Sequence, residues 1–173
     1  MNKNKSQENE KEQKIYGVYN PSVITTKEVL HITECGSNIK QNLEKKIIYK
    51  IDSRCVEQGF IRPNSIKIMS YSAGVINNSY IEFDVLYNCM ICCPVEGMLI
   101  ECVIKTITKA GIHAEVITDE NVIPCTVFVA RDHNFTNIQK FNSYKEKMNI
   151  LVKVIGIRYD LNDPFISVIA SLV

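Results

Sequence analysis

The chain has 173 residues, 20 Lys plus Arg against 19 Asp plus Glu, and 46% hydrophobic side chains. Near-neutral charge excludes a polycation that holds nucleic acid by bulk charge, and the apolar content excludes an acidic disordered chain. By halves, residues 1–88 carry 12 basic and 10 acidic side chains, a net +2, and residues 89–173 carry 8 and 9, a net −1.

Residues 1–14 are charged or polar after Met1 and read as a disordered leader. They have no apolar core of the secretory kind, and nothing further on approaches the ~18–20 apolar residues of a membrane span, so a soluble intracellular protein is expected. The 25 Ile, 16 Lys and 16 Asn point to an A/T-rich coding sequence.

Ile15 to Thr33 reads as extended, broken at Asn20-Pro21. Ser37 is placed to cap a helix over about Ser37–Arg54, whose Ile39, Leu43, Ile47 and Ile51 recur every four residues and make one apolar stripe. Gly59, Pro63 and Asn64 form a turn. Ser65–Ser72 alternates, with Ile66 and Ile68 on one face. Asn77-Asn78-Ser79 is a hairpin turn, and Tyr80–Tyr87 sets Ile81, Phe83, Val85 and Tyr87 on one face. The first half is therefore a small α+β unit.

Beyond it come strands. Gly97–Ile107 turns at Lys109-Ala110-Gly111 into Ile112–Thr118. Asp119-Glu120-Asn121 leads to Pro124–Ala130. A polar irregular stretch covers Arg131–Lys147. Asn149–Arg158 turns at Asn162-Asp163-Pro164 into Phe165–Val173. Five strands in some 80 residues predict a small closed β-barrel of the OB (oligonucleotide-binding) type. The seam falls at Cys92-Cys93-Pro94. It has no flexible linker, so the two halves are expected to sit rigidly together.

Seven cysteines (Cys35, Cys55, Cys89, Cys92, Cys93, Cys102, Cys125) read as reduced, small apolar residues. Cys89, Cys92 and Cys93 lack the second spaced pair that a structural zinc site wants, and no metal or other cofactor is expected. No cysteine–histidine arrangement, phosphate-cradling glycine loop or grouped carboxylate pair supports catalysis. Asp160 and Asp163 read as turn formers. What remains is a binding face: a barrel of this type offers its second and third strands to single-stranded nucleic acid through a few cations and flat side chains. The candidates are Lys105, Lys109, His113, Phe128, Arg131, His133, Lys153 and Arg158, with Phe135 beside them.

The order of these pieces resembles a known family. Phe83, Val85, Tyr87, Pro94, Gly97, Gly111, Ala114, Glu115 and Val116 lie along Tyr80–Val116. Val127-Phe128-Val129-Ala130, Val152-Lys153-Val154-Ile155-Gly156 and Ile166–Ser171 follow in step. Over about residues 15–173 the chain resembles the seventh subunit of RNA polymerase II and its archaeal counterpart. Its base composition fits a version encoded by a large DNA virus.

The resemblance implies a non-catalytic stalk subunit, with a truncated ribonucleoprotein-like domain over 15–93 and an OB barrel over 94–173. It implies docking on the polymerase core near Gly59, Phe60, Ile61 and Gly74. It also implies weak guidance of nascent RNA, a fourth-subunit-like partner and no membrane. The location implied is the nucleus, or for a viral protein the host cytoplasm and the virion. Ile112 and His113 stand where that family carries an aromatic pair. A free-standing RNA-binding factor, like an initiation factor, is the second reading.

Overall fold

A computed structural model describes residues 17–118, 122–132, 141 and 143–173. Among the described residues, eleven strands and one helix of more than a single turn form an antiparallel sheet followed by a closed barrel, an α+β architecture.

The first sheet is organised on its longest strands. β1 (Tyr19–His31) pairs antiparallel along the whole length of β6 (Tyr80–Cys92). On its other side β6 pairs in succession with β5 (Val75–Asn77), β4 (Lys67–Tyr71) and β3 (Gly59–Ile61), and β3 pairs with β2 (Cys55–Val56). The alternation of β6 decides which face is covered: Phe83, Val85, Tyr87, Cys89 and Ile91 are buried, whereas Asp84 and Asn88 face outward. Helix α1 (Ile39–Ile51) lays Leu43 and Ile47 on that apolar face, with Leu30, Ile61, Ile66 and Ile68 around them.

Local geometry corrects the expected boundaries. The N-cap of α1 is Asn38, not Ser37, and no side chain caps it; Gly36 to Asn38 make the turn that precedes the helix, and Asn42 donates its side-chain amide to the Glu34 carbonyl at 2.9 Å. The helix stops at Ile51 rather than Arg54. Ser53 takes φ 58°, and the Asp52 carboxylate turns to accept the Asn64 backbone N–H at 3.0 Å. Asn20-Pro21 does not interrupt β1, because β1 is the edge of the described sheet and an edge strand has one side with no ladder for proline to break. The hairpin turn at Asn78-Ser79 forms as expected, with Asn78 at φ 55°.

One charged side chain lies under α1. Glu28 is 4% exposed, and the half-exposed Lys50 ammonium donates to both of its carboxylate oxygens, at 2.6 and 2.9 Å. Lys50→Ala leaves that carboxylate without its cation and is expected to cost about 1–3 kcal/mol. Urea unfolding checks this, and Lys45→Ala on the wet side of the same helix should leave the midpoint unmoved.

The second sheet closes on itself in the order β10 (Asn149–Arg158), β11 (Ile166–Leu172), β9 (Cys125–Ala130), β8 (Gly111–Val116), β7 (Leu99–Ile107) and back to β10. All pairs are antiparallel except β9 with β11. Period-two alternation fills the interior with Ile100, Cys102, Ile104, Ile112, Ala114, Val127, Val152 and Val168. Phe141 joins them, although its segment reads as polar and irregular. The Asp119-Glu120-Asn121 turn, residues 133–140 and 142, and the leader lie outside the described residues.

The barrel's buried cluster extends into the first sheet, while a second cluster lies beneath α1. Cys55, Phe60 and Cys92 belong to the barrel's buried cluster, and the Cys92 and Cys125 sulfurs lie 3.3 Å apart. The β10–β11 turn extends the contact: the Cys55 N–H donates to the Asp163 carbonyl and the Asn162 N–H to the Cys55 carbonyl, both at 2.9 Å. The Tyr159 hydroxyl donates to the Glu57 carbonyl at 2.9 Å. Asp160 and Asp163 shape this turn, the Asp163 carboxylate accepting the Asp160 N–H at 2.8 Å.

Candidate nucleic-acid interface

The outward positions of β8, β9 and β11 line a hollow of about 310 Å³ on the barrel wall. β8 presents His113 and Glu115, β9 presents Thr126 and Phe128, and β11 presents Ser167 and Ile169. The register fixes these neighbours: His113 is opposite Phe128, and Phe128 is opposite Ile169. Phe128 folds down against the wall because Gly111 has no side chain; a Cβ there would meet the ring at 2.8 Å. The His113 and Phe128 rings are 4.7 Å apart and tilted by 45°.

Lys105 reaches this hollow through a bulge. The β7–β8 register shifts between Ile104 and Thr106, and the Lys105 ammonium lies 3.0 Å from Glu115 Oε2, an oxygen shut off from solvent. The cation is therefore partly neutralised by a carboxylate on the next strand.

Three expected site residues, Lys105, His113 and Phe128, meet in one place. The others are distributed. Lys109 is exposed in the β7–β8 turn, and Arg131 is tied to that end of the barrel by its backbone N–H to the Ala110 carbonyl at 3.0 Å. The Arg131 guanidinium lies over the Phe141 ring, 4.9 Å from its centre, which makes it part of the packing around the barrel end. Arg158 ends β10 opposite Ser167, next to the hollow. Lys153 lines a separate hollow with Glu96, Gly97 and Ser171. His133 and Phe135 lie outside the described residues.

Gly59, Phe60 and Ile61, expected at a docking tip, are all buried. Phe60 packs into the barrel cluster and Ile61 into the cluster beneath α1. Gly59 has φ 133°, and a Cβ would press on the Cys92 carbonyl. These residues form a joint within the chain and offer no surface. Gly74 lies at the start of the β5–β6 hairpin, where Val75, Ile76 and Tyr80 are exposed by 70%, 71% and 52%. That apolar group was not anticipated, although Val75-Ile76 beside the Asn78-Ser79 turn carries the signal.

Five of the seven cysteines, Cys55, Cys89, Cys92, Cys102 and Cys125, are buried. Burial pushes the Cys102 and Cys55 thiols up to about 12 and Cys89 to about 11. The hydrogen bond to Cys92, with burial, raises Cys125 as well. Among the described residues no three His, Cys, Asp or Glu side chains are grouped to hold a metal ion.

No protein-family model matches the chain. DNA-directed RNA polymerase II subunit 7 of Arabidopsis thaliana is 27% identical over 141 residues, covering 76% of this chain and 80% of the plant protein. DNA-directed RNA polymerase II subunit RPB7 of Glycine max is 25% identical over 146 residues, 79% of this chain and 82% of its own. A protein of Acanthamoeba polyphaga mimivirus that bears the name of a DNA-directed RNA polymerase subunit is 26% identical over 144 residues, 78% and 72% of the two chains. Matches of this length exceed either the sheet region or the barrel region alone, so each includes parts of both. Along most of its length the chain is thus similar to the seventh subunit of RNA polymerase II, the family whose motif order its sequence resembles.

Proposed function

We propose that the chain is a non-catalytic stalk subunit of a multisubunit DNA-directed RNA polymerase. The observation that carries this reading is the similarity to polymerase subunits from two plants and a giant virus across both the sheet and the barrel. In this reading the chain has two domains that meet at Cys93-Pro94, the first ribonucleoprotein-like and the second an OB barrel. The barrel's antiparallel meander β7-β8-β9, followed by β11 parallel to β9 and β10 closing onto β7, supports the OB assignment.

The first domain docks on the polymerase core with the β5–β6 hairpin next to Gly74, and the exposure of Val75, Ile76 and Tyr80 supports this end over the buried Gly59–Ile61. A fourth-subunit-like partner has an apolar hollow available on the outer face of the first sheet, beside Val23 and Met69. The protein works wherever its polymerase transcribes, in the nucleus or, for a viral enzyme, in the host cytoplasm with packaging into virions. Co-purification of the tagged chain from its native source tests the assignment. The large polymerase subunits should come with it, and recovery without them overturns the reading.

The barrel guides emerging RNA through the Lys105–His113–Phe128 face. With one flat ring pair and a half-neutralised cation, its own affinity is low, and placement next to the RNA exit raises the local concentration instead. Phe128→Ala is expected to weaken binding of a single-stranded RNA oligonucleotide by roughly 1–3 kcal/mol, the worth of one lost stack, at low salt in fluorescence anisotropy. Unchanged affinity would remove this face from the RNA path. The same hollow is what favours the second reading, a free-standing RNA-binding factor. That reading expects tight RNA binding by the isolated chain, with a steep salt dependence.

A further inference from the structure

Four of the seven cysteines gather where the first sheet meets the barrel. Strand pairing sets Cys55 opposite Phe60 and Phe60 opposite Cys92, a row across β2, β3 and β6 that is buried with the barrel interior. Cys125, the first residue of β9, meets that row from the barrel side. Its sulfur lies 3.3 Å from that of Cys92, although the two residues are 33 apart in the chain. Both thiols are free and fully buried. Cys93 follows, half-buried, beside Gly59. Small aliphatic side chains would fill such a joint equally well; two sulfurs in contact add a chemistry that aliphatic groups lack.

We propose that Cys92 and Cys125 are a redox-sensitive pair whose closure to a disulfide locks the first sheet to the barrel. A disulfide bond is about 2.05 Å long, so from 3.3 Å the sulfurs need to approach by only about 1.3 Å. The chain crosses from sheet to barrel once, between Cys92 and Leu99. Apolar packing and the hydrogen bonds to the β10–β11 turn and from Tyr159 make the other contacts across the joint. The disulfide is a second covalent crossing. It closes the loop that carries β7 and β8 and so restricts the open forms of the joint. The lock belongs to the joint and holds whatever the chain assembles with.

The oxidant is a peroxide, small enough to enter the joint. The hydrogen bond to Cys92, with burial, holds the Cys125 proton on its sulfur, which leaves Cys92 as the attacking sulfur. Cys92 gives up its proton and bonds to one peroxide oxygen. The O–O bond breaks, water leaves, and Cys92 becomes a sulfenic acid. The Cys125 sulfur then attacks the Cys92 sulfur, the S–O bond breaks, and the Cys125 proton leaves with the hydroxide as water. Two thiols have lost two electrons, and hydrogen peroxide has become two waters. Cys93 is the rival partner for Cys92, but a bond between adjacent cysteines closes an eight-membered ring that twists the planar peptide inside it.

The test uses the full chain, reduced, freed of reductant and treated with hydrogen peroxide at neutral pH. Thiols titrated in denaturant should fall from seven to five, and tandem mass spectrometry of non-reduced peptides should map the bond to Cys92 and Cys125. The urea midpoint should rise by about 1 M. Dithiothreitol should return it, which separates the disulfide from methionine oxidation. Cys92→Ala and Cys125→Ala should each lose the rise, and Cys35→Ala, outside the joint, should keep it. Where an alanine variant fails to fold, the thiol count and the mapped bond in the native chain decide. Seven remaining thiols, or lost thiols with no bond mapped, overturn the pair. A bond through Cys55 or Cys93 overturns its assignment to Cys92 and Cys125. A Cys92–Cys125 bond with an unmoved midpoint overturns the lock.

Discussion

Phe60→Ala is expected to lower the unfolding free energy by about 3–5 kcal/mol. Phe60 is 1% exposed on β3, a strand of the first sheet, yet its side chain is packed with Cys55, Cys92 and the barrel interior. Deleting the ring removes buried apolar area and opens a cavity that neither half can close alone, since β3 is held by backbone pairing to β6 and the adjacent turn by hydrogen bonds from Cys55 and Asn162. Urea denaturation followed by circular dichroism reads the change. Val23→Ala, on the exposed outer face of the same sheet, should move the midpoint by less than about 0.5 kcal/mol. A loss below about 1 kcal/mol for Phe60→Ala would mean that the sheet and barrel are not cored together in solution.

Alkaline pH supplies the second large effect. The thiols of Cys102 and Cys55 and the Tyr87 phenol are pushed up to about 12, and Cys89 to about 11, chiefly because burial disfavours their charged forms. In the unfolded chain the thiols lose their protons near 9, so above that pH the folded state holds more protons than the unfolded one. Unfolding then releases protons, and stability falls as pH rises from about 9 toward 12. Cys102, inside the barrel, and Cys55, in the same buried cluster, each contribute on the order of 1 kcal/mol of loss by pH 10, and Cys89 about as much. Denaturation midpoints at pH 8, 9 and 10 should decline progressively, and Cys102→Ala should flatten the decline. A midpoint constant through pH 10 would show that these thiols meet water in the folded protein.

The elements that could be read from the chain are those with strong local periodicity. Leu43 and Ile47 are on the buried face of α1 because a four-residue apolar spacing leaves no other way to satisfy them. Phe83, Val85 and Tyr87 are buried on β6 for the same reason at period two. The five barrel strands were legible as alternation between turns. The cap at Asn38, the uninterrupted β1 and the buried Phe141 were not, because each depends on what lies across from it: a neighbouring turn, a free sheet edge, a space in the barrel core.

The candidate site divides the same way. Lys105, His113 and Phe128 could be named as cations and rings on adjacent strands, and antiparallel neighbours one turn apart were bound to bring them close. Ser167 and Ile169 were missed, since they arrive through the parallel pairing of β9 with a strand some forty residues later in the chain. Glu115 was visible as one of the family-like residues, but its ion pair with Lys105 depends on a bulge in β7 that no residue pattern announces. The burial of Gly59, Phe60 and Ile61 was not legible, because a buried joint and an exposed tip share the same apolar composition.

The amino-acid sequence by itself determined the strand and helix content, which faces are apolar, the near-neutral charge and the order of motifs that ties the chain to polymerase subunits. Tertiary structure alone decided which outward side chains share a hollow, which cations are already neutralised and which apolar residues are used up at the joint. The reason is physical: alternation along a strand records only whether a side chain points in or out. Its neighbours across the sheet are chosen by long-range pairing, and local sequence does not encode them.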